Sequence, residues 1–149
     1  MRKPLYILMI LGTLFGCSSP APLPAGRVVA MDYQVQGMEQ YPSVRFILRY
    51  GEDGRYLLTN ASRCAPHEAV TKEVPSSFAD QLKCIIDEER MMAYKNEYNS
   101  RSHVSDGETW TLRVAFDGTG TELRSTGTHA RPRGDGLSRL CQLCQSQFK

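Results

Sequence analysis

TWTLRVAF, residues 109–116, decides the fold class, because its side chains alternate without interruption between two faces. One face carries the larger apolar residues, Trp110, Leu112, Val114 and Phe116. A period of two predicts a β-strand that buries one face. Residues 117–120 (DGTG) then predict a tight turn, so residues 121–125 should return as the second strand of a hairpin.

A second hairpin is predicted upstream. Residues 43–50 (SVRFILRY) also alternate, and residues 51–54 (GEDG) supply turn residues that tolerate positive φ. Residues 55–59 should therefore pair back on residues 43–50. Residues 27–36 (RVVAMDYQVQ) are rich in β-branched side chains and predict a further, N-terminal strand.

Two segments have helical periodicity. Residues 76–98 carry an apolar stripe at helical spacing, and a second stripe follows Asp135. The stripe residues are Phe78, Leu82, Ile85, Ile86, Met92 and Ala93 in the first, and Leu137, Leu140, Cys141, Cys144 and Phe148 in the second. Residues 60–74 show no period and are predicted to form a loop. The whole predicts an α+β fold: a largely antiparallel sheet of two hairpins plus an N-terminal strand, with two helices packed on one face.

The amino terminus has the pattern of an export signal. Two cations, Arg2 and Lys3, precede an apolar run at residues 5–15, which is too short for a permanent membrane span. The run ends in Leu14-Phe-Gly-Cys17, which resembles the bacterial lipobox and implies cleavage before Cys17 and lipidation of that cysteine. We therefore divide the chain into a signal peptide (1–16), a lipidated cysteine with a Pro/Ser-rich tether (17–26), and a single globular α+β domain (27–149).

The predicted location is the cell envelope. Acyl chains on Cys17 would hold the domain to a membrane. The absence of an acidic residue directly after Cys17 resembles sorting to an outer membrane, and whether the domain faces the periplasm or the surface stays open. Because Arg2 and Lys3 lie in the leader, the formal charge of the processed chain falls from +2 to zero. No clustered basic face for nucleic acid is expected.

Four further cysteines, Cys64, Cys84, Cys141 and Cys144, are candidates for disulfides, because exported compartments are oxidising. Four thiols allow three pairings, among which the sequence does not choose. Free, buried thiols are the second interpretation. A third is a zinc site formed by Cys64 and His67 with Cys141 and Cys144, but the two knuckles lack glycines, and no metal is predicted.

Three short motifs in the second half of the chain resemble a known family. They are the tryptophan strand, the Phe116-Asp-Gly turn and a Ser-x-Gly-x-x-x-x-Pro segment before the last helix. Together with the lipobox they resemble uncharacterised lipoproteins of Bacteroidales-type bacteria. The resemblance points to a ligand-binding loop at Ser125, Gly127, His129, Arg131 and Pro132. His129 stands where the family has asparagine, and Arg131 where an aromatic residue is common, so a different ligand preference is implied.

These features favour a non-catalytic function. No G-x-S-x-G elbow, H-E-x-x-H pair or phosphate-binding glycine loop is present, and no cofactor is predicted. The prediction is a membrane-anchored binding or accessory module whose partner is an envelope protein or a glycan. The alternative is an envelope hydrolase with a site around Ser125 and His129.

Overall fold

The computed structural model describes residues 26–37, 43–62, 68–100, 107–118 and 120–149. The signal peptide, Cys17, most of the tether, Cys64, His67 and His103 lie outside the described residues. The elements are β1 (Val28–Gln36), β2 (Val44–Tyr50), β3 (Tyr56–Asn60), β4 (Val70–Val74), α1 (Ser76–Glu88), a 3-10 turn (Met91–Ala93), β5 (Glu97–Asn99), β6 (Thr109–Phe116), β7 (Glu122–Thr128) and α2 (Gly136–Ser146).

The strands form one sheet in the order β4-β3-β2-β1-β6-β7-β5. All neighbours are antiparallel except β5, which runs parallel to β7. The predicted N-terminal strand lies at the centre, where β1 joins the two predicted hairpins by pairing with β2 on one side and β6 on the other. The predicted α+β fold with a largely antiparallel sheet is confirmed.

Both helices lie over one face of the sheet and enclose a single hydrophobic core. Trp110, Leu112 and Val114 are fully buried there, as the alternation in TWTLRVAF predicts. Helix α1 contributes its stripe from Phe78 to Ile86, and α2 contributes Leu137, Leu140 and Cys144. The other face, named the open face below, carries the alternate residues of the same strands, most of them polar.

The structure differs from the prediction at four places. The predicted loop 60–74 contains the edge strand β4, which was missed because only Val74 of its five residues is buried. The first helix ends at Glu88 rather than near Tyr98, because Arg90 adopts a left-handed conformation (φ 51°) and a 3-10 turn follows. The chain then forms the short edge strand β5. Strand β7 extends to Thr128, three residues beyond the predicted end.

The strand directions define two ends of the sheet. Arg27 precedes β1, and its guanidinium pairs with Asp117 in the turn between β6 and β7. We call this the entry end. Strand β1 runs about 26 Å from Arg27 to Val35 at roughly 3.3 Å per residue. At Val35, which pairs with Val44 and Trp110, it reaches the opposite end of the sheet, named the far end.

Burial of Tyr33 predicts a loss of stability at alkaline pH. Desolvation raises its pKa from 10.0 to about 12, so the folded state keeps the phenol protonated more strongly than the unfolded chain does. This stabilisation is fully present below pH 10 and is lost as the pH rises to 12.

In Tyr33→Phe the unfolding free energy should fall less steeply between pH 10 and 12, by about 2–3 kcal/mol over the interval, as judged from urea unfolding. Parallel pH profiles for the two chains would contradict this account of Tyr33.

Within the part of the chain that the structure describes, neither α1 nor α2 has the length and apolar content to cross a bilayer.

Candidate functional site

The predicted ligand loop is divided by the structure between a strand and the segment that follows it. Ser125 and Gly127 are buried residues of β7, not loop residues. Ser125 ends the predicted strand 121–125, whereas Gly127 lies in the predicted loop because glycine is a weak strand former. Pairing with β6, and for Gly127 also with β5, holds the two residues in the sheet. His129, Arg131 and Pro132 follow the end of β7 and lie at the far end.

Trp110 fixes the segment after β7. Its indole Nε1 donates a hydrogen bond of 2.7 Å to the Ala130 carbonyl oxygen. Gly127 makes this approach feasible, because a Cβ at that position would overlap both the indole nitrogen and the same carbonyl oxygen. The tryptophan is therefore a buried residue that holds the segment after β7 in place.

His129 and Arg131 leave β7 in different directions. His129 has a positive φ of 55°, its amide nitrogen donates to the Glu108 carbonyl oxygen, and its ring packs against Gly107. Its Nδ1 atom is buried and has no hydrogen-bond partner within the described part of the chain. Arg131 instead reaches outward and forms an ion pair with the Glu108 carboxylate.

The Arg131–Glu108 pair stands at the rim of a cleft of about 390 Å³ between the sheet and α2. We call it the far-end cleft. It is lined by Tyr33, Val35, Ser43, Val44, Glu108, Arg131, Ser138, Cys141 and Gln142. The floor is apolar or aromatic and the rim is polar, an arrangement that small-ligand and side-chain pockets share.

Burial and a nearby charge shift the pKa values of the two thiols beside this cleft. Desolvation raises the pKa of Cys141, and the positive charge of Arg131 partly opposes the rise. Cys144, one turn further along α2, is fully buried, and desolvation raises its pKa to about 12. Both sulfurs are therefore neutral thiols at neutral pH, so the floor of the cleft carries no negative charge of its own.

Helix α2 is held in place by its first turns. Arg139 donates to Glu88 and Glu89 at the end of α1, with both distances 2.7 Å. Leu137 and Leu140 are buried beneath it. Because these contacts fix the wall that carries Ser138 and Cys141, the width of the cleft is set by packing between the helices and the sheet.

The predicted disulfides are not formed among the cysteines that the structure describes. Cys84, Cys141 and Cys144 are all free thiols, with Cys84 exposed on α1, where it donates to the Glu88 carboxylate, and Cys144 buried. No group of three or more metal-binding side chains occurs in the described ranges. Cys64, which belongs to both the disulfide and the zinc interpretations, lies outside them.

The two residues of the hydrolase alternative are held apart. Ser125 is 4% exposed and donates its hydroxyl hydrogen to the Lys95 carbonyl oxygen at 2.7 Å. His129 follows four residues later, about 13 Å along an extended strand. The structure therefore does not assemble a serine–histidine pair from these two residues.

No protein-family model matches the chain, and no curated protein matches it. Sequence reasoning singled out Arg131 and Cys141 but missed the other lining residues of the far-end cleft. The alternation in β1 and β2 places Tyr33, Val35 and Val44 on the core-facing side of their strands. This alternation does not indicate that α2 leaves a cleft beside these three residues.

Proposed function

We propose that the chain is a lipid-anchored envelope protein that binds a partner through the far-end cleft. In this proposal the chain is cleaved before Cys17, acyl chains hold Cys17 to a membrane, and residues 18–26 act as an extended tether of roughly 28 Å. The domain itself performs no chemistry. Its function is to hold a protein or glycan partner at a set distance from the bilayer.

One geometric observation supports this proposal. The chain enters the domain at Arg27, at the entry end, whereas the cleft is lined by Val35, Ser43, Glu108 and Arg131 at the far end. A domain tethered through its N-terminus would thus present the cleft away from the anchor. The tether and the length of the sheet together would place it about 50 Å from the point of attachment.

The lining of the cleft indicates the kind of group that it accepts. Val35 and Val44, which are only partly buried, offer apolar contact, while Ser138 and Gln142 offer hydrogen bonds at the rim. The side chains of Arg131 and Glu108 are each about 40% exposed. Breaking this ion pair so that each charge binds a polar group of the partner therefore costs little free energy. This composition suits an amphipathic side chain or a sugar ring that also carries polar groups.

The half-buried thiol of Cys141 lines the cleft, so its rate of alkylation depends on whether a partner occupies the cleft. Alkylation of Cys141 relative to the exposed Cys84 can be measured by peptide mass spectrometry in intact envelopes and on the purified chain. A partner in the cleft should lower the ratio of Cys141 to Cys84 alkylation in envelopes by at least about fivefold.

Ser138→Trp, which fills the cleft from α2, should abolish capture of the partner by the tagged chain.

Arg131→Ala should restore Cys141 labelling in envelopes toward the value of the purified chain. The matched control is Arg133→Ala, which removes an exposed arginine two residues away that does not line the cleft. Equal Cys141 labelling in envelopes and in the purified chain would refute the proposal. The same loss of protection in both arginine variants would also refute it, because that result points to net charge rather than to the cleft.

A further inference from the structure

The open face carries a basic group of residues that the far-end cleft does not use. Four arginines project from β2, β6 and β7 on this face, namely Arg45, Arg49, Arg113 and Arg124. Arg45 pairs with Asp32 at 2.8 Å, and Arg124 pairs with Glu122 at 2.6 Å. Within the described ranges, Arg49 and Arg113 form no ion pair with a carboxylate.

The strand register brings Arg49 and Arg113 to the two sides of one depression. Arg49 on β2 lies opposite Ala30 on β1, and Ala30 lies opposite Ala115 on β6. Arg113 is the next outward residue along β6. Because the two alanines end in methyl groups, they leave a depression of about 180 Å³ between the longer side chains. We call Arg49, Arg113, Ala30 and Ala115 the arginine cradle.

The charge in and around the cradle is positive. Asp32 and Glu122 also line it, but each is engaged by another arginine, Arg45 or Arg124. The hydrogen bond from Arg124, with a smaller effect of Arg113, lowers the pKa of Glu122, so this carboxylate stays ionised. The four arginines and two carboxylates give the region a formal charge of +2, located at the two unpaired guanidinium groups.

We infer that the arginine cradle binds the phosphate group of a phosphomonoester. A phosphomonoester carries a charge of about −1.5 to −2 at neutral pH and three acceptor oxygens. This matches two planar guanidinium forks, which recognise phosphate with paired N–H donors. A carboxylate has one negative charge and two oxygens, and would use only one of the two forks fully.

The position of the cradle suggests a source for the phosphate. Ala30 is three residues from Arg27, so the cradle lies in the half of the sheet nearest the entry end. Given the proposed anchor, this half is the part of the domain closest to a bilayer, and a phosphomonoester lipid headgroup could reach it. The phosphate chemistry of the cradle does not depend on the anchor, and soluble phosphomonoesters offer the same group.

The test is a titration of the chain carrying ¹³C-methyl alanine, with the Ala30 and Ala115 methyl signals as the readout. The probes are inorganic phosphate, glycerol 3-phosphate and short-chain phosphatidate below its micelle concentration, with ionic strength matched by sodium chloride. Saturable shifts of both methyl signals are expected, and Arg49→Gln and Arg113→Gln should each weaken binding at least about fivefold. Arg90→Gln, which removes an exposed arginine from the end of α1, should leave binding unchanged.

Tighter binding of phosphatidate than of glycerol 3-phosphate would identify the lipid headgroup as the source, and equal binding would identify the soluble ester. The inference is overturned if no probe gives a saturable shift, or if Arg90→Gln weakens binding as much as the cradle variants do. Because the readout involves neither Cys141 nor the anchor, this result is independent of the test of the far-end cleft.

Discussion

Trp110→Ala is expected to lower the unfolding free energy by about 3–5 kcal/mol, a large part of the stability of a domain of this size. Trp110 has no exposed surface, and it packs at the junction of β1, β6 and β7. Its removal leaves a cavity and also frees the Ala130 carbonyl oxygen from its donor. Trp110 is the single tryptophan of the chain, so a variant at this position has no tryptophan fluorescence. Its unfolding in urea must therefore be followed by circular dichroism.

Two further variants separate the causes. Trp110→Phe keeps most of the apolar volume but lacks the N–H group, so its cost should be smaller, about 1–3 kcal/mol. Thr109→Ala, at the exposed neighbour on the same strand, should change stability by no more than about 0.5 kcal/mol. An unfolding free energy of Trp110→Ala within about 1 kcal/mol of the native value would contradict the burial of Trp110 and its hydrogen bond to Ala130.

Gly127→Ala is expected to destabilise the fold by about 2–4 kcal/mol, although the change adds only one methyl group. The added Cβ would overlap the Trp110 indole nitrogen and the Ala130 carbonyl oxygen, so it must disrupt their hydrogen bond as well as overpack the site. The urea midpoint measured by tryptophan fluorescence should therefore fall, and the indole emission should shift as Trp110 moves.

The matched control is Gly37→Ala. An added Cβ there would come no closer than 3.4 Å to the Ser43 hydroxyl oxygen, so the variant should be nearly neutral. Equal stability of the two alanine variants would show that Gly127 tolerates a side chain. Residue 127 would then belong to a loop, as the sequence predicts, rather than to a packed strand.

Local alternation was enough to predict the centre of the fold. In TWTLRVAF and in residues 43–50, one face is buried and the other is not, and this contrast is present in the sequence itself. Strand β4 was not predictable in this way. Its Val70, Thr71, Lys72 and Glu73 are exposed and only Val74 is buried, so this edge strand shows no alternation between a buried and an exposed face.

The end of α1 is a second feature that the sequence pattern did not predict. The apolar stripe continues through Met92 and Tyr94, which pack on the core, so periodicity alone extends the helix. The turn at Arg90 requires a left-handed conformation that arginine seldom adopts, and neither glycine nor proline marks it. Packing of the 3-10 turn, rather than local propensity, therefore ends this helix.

The two proposed binding regions depend on contacts between distant parts of the chain. The arginine cradle requires the register of β2, β1 and β6, in which Ala30 pairs with Ala115. Alternation places Arg49 and Arg113 on the outer sides of their strands, but not on the two sides of one depression. The far-end cleft further requires the position of α2. The sequence therefore named Arg131 as a loop residue and Cys141 as a disulfide candidate, but it did not indicate the surface on which the structure places both.

We propose that lipid on Cys17, and not a catalytic centre, determines where this domain acts. Intact-mass spectrometry of the chain purified from membranes tests it most directly. We expect a polypeptide of residues 17–149 with the added mass of a diacylglyceryl group and an amide-linked acyl chain. Cys17→Ser should yield no such species. An unacylated chain in the membrane fraction, whether cut elsewhere or still beginning at Met1, would contradict the account.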